Sequence, residues 1–176
     1  MSGGAGGWKV HTGSFGPMRT ARQVLLLLGG NEHDPRAVLA KAEEMVVARL
    51  GGPAAHGRDH WTEPWGFESD SVFLNRSLLV RTDLDPHGLL AELHGVEQEL
   101  GRTRVPGTGY TSRSIDIDIL LMEDLVLTEG PLQVPHPRMH QRAFALSPAA
   151  DLCPGWVHPV LRRTVLHLLN DLRANT

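Results

Sequence analysis

Residues 113–120 read RSIDIDIL, in which Ile115, Ile117 and Ile119 alternate with Ser114, Asp116 and Asp118. A two-residue period marks a strand with one face in a core and the other turned away from it. The spacing predicts a strand over residues 115–121. Ile115, Ile117, Ile119 and Leu121 would face the core, and Ser114, Asp116, Asp118 and Leu120 would face the other way. Aspartate is a poor strand former, and neighbouring carboxylates repel. The pattern therefore asks for a positive group close by.

Working outward, residues 24–28 form a continuous apolar run closed by Gly29 and Gly30, as in a central strand. Asp34 and Pro35 read as an N-cap and first helical turn, and the helix stops at residues 51–53, Gly-Gly-Pro. A strand is expected over residues 54–62, a loop over 63–71, and a strand over 72–81 carrying Phe73, Asn75 and Ser77 on one face. Pro86 opens a second helix with Leu89, Leu93 and Val96 on its buried side, and Gly101 ends it. Beyond the RSIDIDIL strand, residues 125–127 and 132–134 read as a small hairpin and residues 164–169 as a closing helix. The main order is strand, helix, strand, strand, helix, strand. That is the split βαβ arrangement of a ferredoxin-like α+β domain, with helices packed on an antiparallel sheet.

The 176 residues, 41% of them hydrophobic, suffice for one domain with a real core. A net charge of −3 gives no global pull toward nucleic acid or membranes, so any anion site must be built locally. A single cysteine, Cys153, excludes an intrachain disulfide and a cysteine-cluster metal site, and is read as packing. Residues 1–20 are glycine-rich, without the apolar stretch of a secretory signal, and are read as a flexible tail. No apolar run approaches the ~18–20 residues of a membrane span. A cytoplasmic monomer is expected.

Two carboxylates on one rigid strand face suit Mg²⁺, which takes one or two protein carboxylates and fills its other positions with water and phosphate oxygens. Arg102 and Arg104 lie before the strand, Arg113 stands at its entrance and Arg142 lies beyond it. Arginine forks match phosphate oxygens. The intervening loop contains VPGTGY and reads as a mobile lid carrying Arg104 and Tyr110.

Three segments in order, LLGGN at 27–31, TEPWGF…FLN at 62–75, and GRTR…RSIDIDILL followed by VPHPRMHQRAFAL, resemble the 6-hydroxymethyl-7,8-dihydropterin pyrophosphokinase family of folate biosynthesis. The resemblance spans roughly residues 23–169. It implies transfer of pyrophosphate from ATP to the hydroxymethyl group of the dihydropterin, giving AMP, within one domain over residues 21–176. By the same resemblance Asp116 and Asp118 would bind two Mg²⁺ ions, and Arg102 and Arg113 would act on the phosphates in catalysis. ATP would be held by His94, Glu97, Arg102, Arg104, Tyr110, Arg113, Ile119, His136 and Arg142. The pterin would stack between Phe73 and Phe144 and hydrogen-bond Asn75, with Thr62, Pro64, Trp65 and Tyr110 completing its pocket. The chain departs from the family pattern at Gly30, where serine is typical, at His94 for glutamine, at Tyr110 for tryptophan, and at Pro137, where an aromatic can occur.

Three other readings are compatible with the same elements. A ferredoxin-like domain can bind nucleic acid, but that use wants exposed aromatics and a basic face, and aromatics here are only 5%. A metal-dependent phosphohydrolase could use the same aspartates, and a binding protein that has lost catalysis could keep the fold. The intact Arg102, Arg113, Asp116 and Asp118 argue against that last reading.

Overall fold

The computed structural model describes residues 21–32, 34–63, 72–102, 114–128 and 130–175. In chain order the elements are β1 (Arg22–Gly30), α1 (Pro35–Leu50), β2 (Ala54–His56), β3 (His60–Thr62), β4 (Phe73–Thr82), α2 (Pro86–Glu99), β5 (Asp116–Met122), α3 (Ala143–Leu152) and α4 (Val165–Ala174), with a short 3₁₀ turn at Met139–Gln141. The sheet order is β2-β4-β1-β5, with β3 also on β4 and every pairing antiparallel. This is the ferredoxin-like α+β order expected from the sequence.

The run Val24–Leu28 makes β1 the centre of the sheet because a strand buried on both faces needs apolar residues on both. Val24, Leu26 and Leu28 pack with Leu74, Ile117 and Ile119 under α1 and α2. Leu25 and Leu27 pack with Leu120, Leu121 and Met139 against α3 and α4. Asp34 caps α1 by accepting the Ala37 amide at 3.2 Å, and Asp85 caps α2 by accepting the Gly88 amide at 2.9 Å. Gly51 closes α1 at φ 68°, where a side chain would be strained.

Four local expectations are corrected. Leu121 does not share the isoleucine face. A bulge between the Leu26–Ile119 and Leu25–Leu121 pairs leaves Leu120 unopposed, so Leu120 and Leu121 both enter the α3/α4 layer. The strand expected over residues 54–62 is broken into β2 and β3 by a second bulge. The hairpin expected over 125–134 is a single bridge, Leu127 to Val134. The closing helix begins after its Thr164 cap but runs on to Ala174.

Helix α3 was not anticipated. Its sequence AFALSPAADL is apolar without a helical stripe, and it carries Pro148 in its interior, which reads as a stop. Burial against the sheet holds it: Ala145, Leu146 and Ala149 are at most 2% exposed. The Pro148 carbonyl is bound at 2.6 Å by the fully buried Ser77 hydroxyl. Cys153, at the end of α3, is buried, and burial pushes its thiol pKa up to about 11, in keeping with a packing role.

Candidate active site

Among the described residues, strand β5 is an edge strand of the sheet, paired with β1. Beside it opens a cavity of about 450 Å³ between α2 and the segment 131–142. Its walls bring together seven of the residues singled out in the sequence: His94, Arg102, Asp116, Asp118, Ile119, His136 and Arg142. A cavity of this size falls within the range that takes small ligands and cofactors.

The positive group that the paired aspartates asked for is Arg102. Its guanidinium sits between the carboxylates of Glu97 and Asp116 and donates to both. Glu97 projects from the buried side of α2, is 1% exposed, and also accepts the amide of Ile117 at 2.8 Å. One buried carboxylate thus ties the end of α2, the start of the 102 loop and the free edge of β5. Burial opposes the charge on Arg102, but Asp116 and Glu97 outweigh it and hold the guanidinium pKa above its ordinary value.

His136 is held by its own amide, which donates to the Leu120 carbonyl at 2.9 Å. Its Nδ1 accepts the Arg138 amide at 3.1 Å, which requires that nitrogen to be unprotonated. Burial first, and then the charges of Arg142 and Arg138, lower its pKa to about 4. At neutral pH it is therefore a neutral ring, and the positive charge of this wall comes from the arginines. Because the folded-state pKa lies below the ordinary 6.5, the unfolded chain takes up the proton first as pH falls. Stability contributed by His136 is complete above about pH 6.5 and is lost progressively down to about pH 4, a change of roughly 3 kcal/mol. Urea unfolding at about pH 7.5 and about pH 4.5 is expected to show this loss in the wild type and a smaller one in His136→Gln. Equal losses in the two would contradict the assignment.

Arg142 is 4% exposed and stands at the N-cap of α3, with its guanidinium 5.5 Å from the centre of the Phe144 ring. A buried guanidinium at the positive end of a helix dipole forms a strongly electropositive corner suited to a polyanion.

The pterin candidates lie on the same face of the sheet as the aspartates. In register, His60 pairs with Asn75, Asn75 with Gly29, and Gly29 with Asp116, forming one row across β3, β4, β1 and β5. Asn75 and Asp116 are separated by two strand spacings, roughly 10 Å. Gly29 leaves the gap between them open, since a Cβ there would sit 3.0 Å from the Asn75 Oδ1. Asn75 is 4% exposed and donates through Nδ2 to the Thr62 hydroxyl at 2.9 Å. Phe73 pairs with Thr62 in register and is partly buried, and Phe144 lies partly buried at the start of α3. Pro64, Trp65, Arg104, Tyr110 and Arg113 lie outside the described residues.

The sequence reading left out Leu90, Ile117, Gln133 and Arg138 of the cavity wall. Arg138 was findable: it is a cation inside the quoted VPHPRMHQR segment, four residues before Arg142. Leu90 and Gln133 reach the cavity only through tertiary folding, and nothing local in the sequence marks them.

The fold and site define a ferredoxin-like α+β protein with a mixed-charge cavity, at the edge of its sheet, suited to a nucleotide polyphosphate. The family model described as 7,8-dihydro-6-hydroxymethylpterin-pyrophosphokinase (HPPK) matches residues 25–154, and the chain belongs to that family. The chain is 43% identical over 138 residues to the 2-amino-4-hydroxy-6-hydroxymethyldihydropteridine pyrophosphokinase of Porphyromonas gingivalis, covering 77% of this chain and 93% of that protein. It is 40% identical over 140 residues to the protein of the same name from Aquifex aeolicus, covering 80% and 86% respectively. Among solved structures, wild-type Plasmodium falciparum HPPK-DHPS with pteroate matches with a TM-score of 0.72 at 15% identity. That match covers 89% of this chain but only 45% of the Plasmodium chain, and it bears on the fold alone.

Proposed function

We propose that the chain transfers the β,γ-pyrophosphate of ATP to the hydroxyl of 6-hydroxymethyl-7,8-dihydropterin, giving the pterin diphosphate and AMP, in tetrahydrofolate biosynthesis. One observation beyond family membership carries the reading. Asp116 and Asp118, Arg102, Arg142 and neutral His136 surround one cavity, and a row along the same sheet face leads from it to buried Asn75 and its hydrogen-bond partner Thr62. Polyphosphate and pterin would meet where that row reaches Asp116.

The donor set fits Mg²⁺. Asp116 and Asp118 share a strand face and a polar cavity, and no group of three or more His, Cys, Asp or Glu that could hold a metal occurs among the described residues. Two carboxylates completed by phosphate oxygens are what Mg²⁺ takes, whereas an all-protein cage is not. Two Mg²⁺ ions on these carboxylates would neutralise the polyphosphate and acidify the attacking hydroxyl. Arg102 and Arg142 hold phosphate oxygens, and Arg138 adds a further cation at the rim. Arg113 acts with Arg102 on the transferring group, while Arg104 and Tyr110 close over the nucleotide. His94, Glu97 and Ile119 position the nucleoside side, with Glu97 acting through Arg102 and Ile117. The pterin stacks between Phe73 and Phe144 and pairs its edge with Asn75, with Thr62, Pro64 and Trp65 around it.

The reading also takes residues 21–176 as one catalytic domain and the protein as a cytoplasmic monomer. Among the described residues no helix is long and apolar enough to cross a membrane.

The direct test is AMP release from ATP and Mg²⁺ with and without the hydroxymethyl dihydropterin. Pterin-dependent AMP is the expected outcome; free phosphate formed without pterin would favour the phosphohydrolase alternative instead. Phe73→Ala is expected to weaken pterin binding roughly tenfold through lost stacking while leaving ATP affinity unchanged. Titration of each ligand separates the two, and equal losses would refute the stacking role.

A further inference from the structure

Strands β2 and β3 are one strand interrupted by a bulge. His56 pairs with Leu78 and His60 with Asn75, so residues 57–59 stand opposite only Arg76 and Ser77. In an unbroken strand His56, His60 and Thr62 would share a face. The extra residue turns His60 and Thr62 onto the face of Asn75 instead, where Thr62 receives the Asn75 amide. Without the bulge, a one-residue slip would carry Thr62 to the opposite side of the sheet.

The bulge is fastened from the facing layer. Gly57 lies against β4, its amide bound to the Ser77 carbonyl at 2.9 Å, and a Cβ there would sit 2.5 Å from the Ser77 hydroxyl. The next amide, that of Arg58, has left the ladder and donates to Oδ2 of Asp151 on α3 at 3.1 Å. The same oxygen lies 2.8 Å from Nε2 of His60, and Oδ1 receives the Arg58 guanidinium at 2.7 Å. The Asp151 side chain is only 11% exposed. Burial alone would raise its pKa, but the hydrogen bonds from Arg58 and His60 outweigh it and hold the carboxyl at about 2. At the other end of the same helix stand Arg142, at the N-cap, and Phe144.

We propose that Asp151 is a positioning residue for the pterin: by capping the bulge at Arg58 and holding His60 it sets the register that brings Thr62 to Asn75 in the pterin pocket. The inference rests on the pterin placement given above. A side chain touching neither substrate then controls one of the two substrate sites selectively, because the ATP cavity is built from β5, α2 and segment 131–142, none of which it binds.

The test is steady-state kinetics of the whole chain, assayed below the melting temperature of each variant. Asp151→Ala is expected to raise KM for the pterin about tenfold, with KM for ATP within about twofold of wild type and kcat at saturation nearly preserved. Asp151→Asn keeps an oxygen for the Arg58 amide and is expected to recover most of the loss. His60→Gln, a milder change, is expected to shift the pterin KM in the same direction. An unchanged pterin KM in Asp151→Ala, equal rises for both substrates, or no recovery in Asp151→Asn would each overturn the proposal. Asn75→Ala reads the pocket separately. If it leaves the pterin KM untouched, the pterin lies elsewhere, and this inference falls with that placement; if it raises KM while Asp151→Ala does not, only the role of Asp151 is lost.

Discussion

Asp118→Ala is expected to lower kcat about a thousandfold while shifting the melting temperature by only a few degrees. The size follows from the task. Catalysis of phosphoryl transfer is mostly positioning and charge neutralisation, so loss of one of the two carboxylates proposed to hold metal would remove much of the available stabilisation. The fold should survive because Asp118 is partly exposed on the cavity face, and the core residues on either side, Ile117 and Ile119, are untouched. The Asp116 carboxylate receives Arg102, so Asp116→Ala would also disturb that pair. Quenched-flow measurement of AMP formation, beside thermal melting, checks both halves. Near-normal turnover in a folded variant would remove Asp118 from the machinery.

Arg102→Ala is expected to damage stability and activity together. It leaves the Glu97 carboxylate, 1% exposed, without the guanidinium that balances it. Removing one partner of a buried pair costs about 3–5 kcal/mol. Glu97 keeps the Ile117 amide, so the lower end of that range is expected. Asp116 loses the Arg102 guanidinium at the same time, and by the proposed function the polyphosphate would lose a cation. Arg102→Ala with Glu97→Gln removes the stranded charge and should recover stability without recovering turnover. Urea unfolding of the single and double variants measures the first effect and AMP release the second. A double variant no more stable than Arg102→Ala would show that the stranded carboxylate was not the cause.

Much of this was legible in the sequence because the determinants are local. The Val24–Leu28 run, the Asp34 cap, Pro86 at the start of α2 and the alternation of Ile115, Ile117 and Ile119 each specify an element within a few residues. Asp116 and Asp118 stand out because adjacent carboxylates on a strand are costly without a partner. What escaped depends on contacts distant in sequence. The break between β2 and β3 is held by Ser77 and Asp151, and α3 overrides its own Pro148 through burial against the sheet. Arg102 could be suspected of holding phosphate, but its place between Glu97 and Asp116 is set by how α2 crosses the end of β5. Arg138 and Gln133 enter the wall because segment 131–142 folds back along the free edge of that strand, through the His136 amide on Leu120.

The central claim is that Asp116 and Asp118 hold divalent ions for a nucleotide polyphosphate. A crystal structure with Mg²⁺ and a non-hydrolysable ATP analogue tests it most directly. The account predicts two ions, with carboxylate oxygens of both aspartates at about 2.0–2.1 Å from metal and the polyphosphate between them and Arg142. An analogue bound elsewhere, with both carboxylates turned to solvent and free of metal, would contradict it.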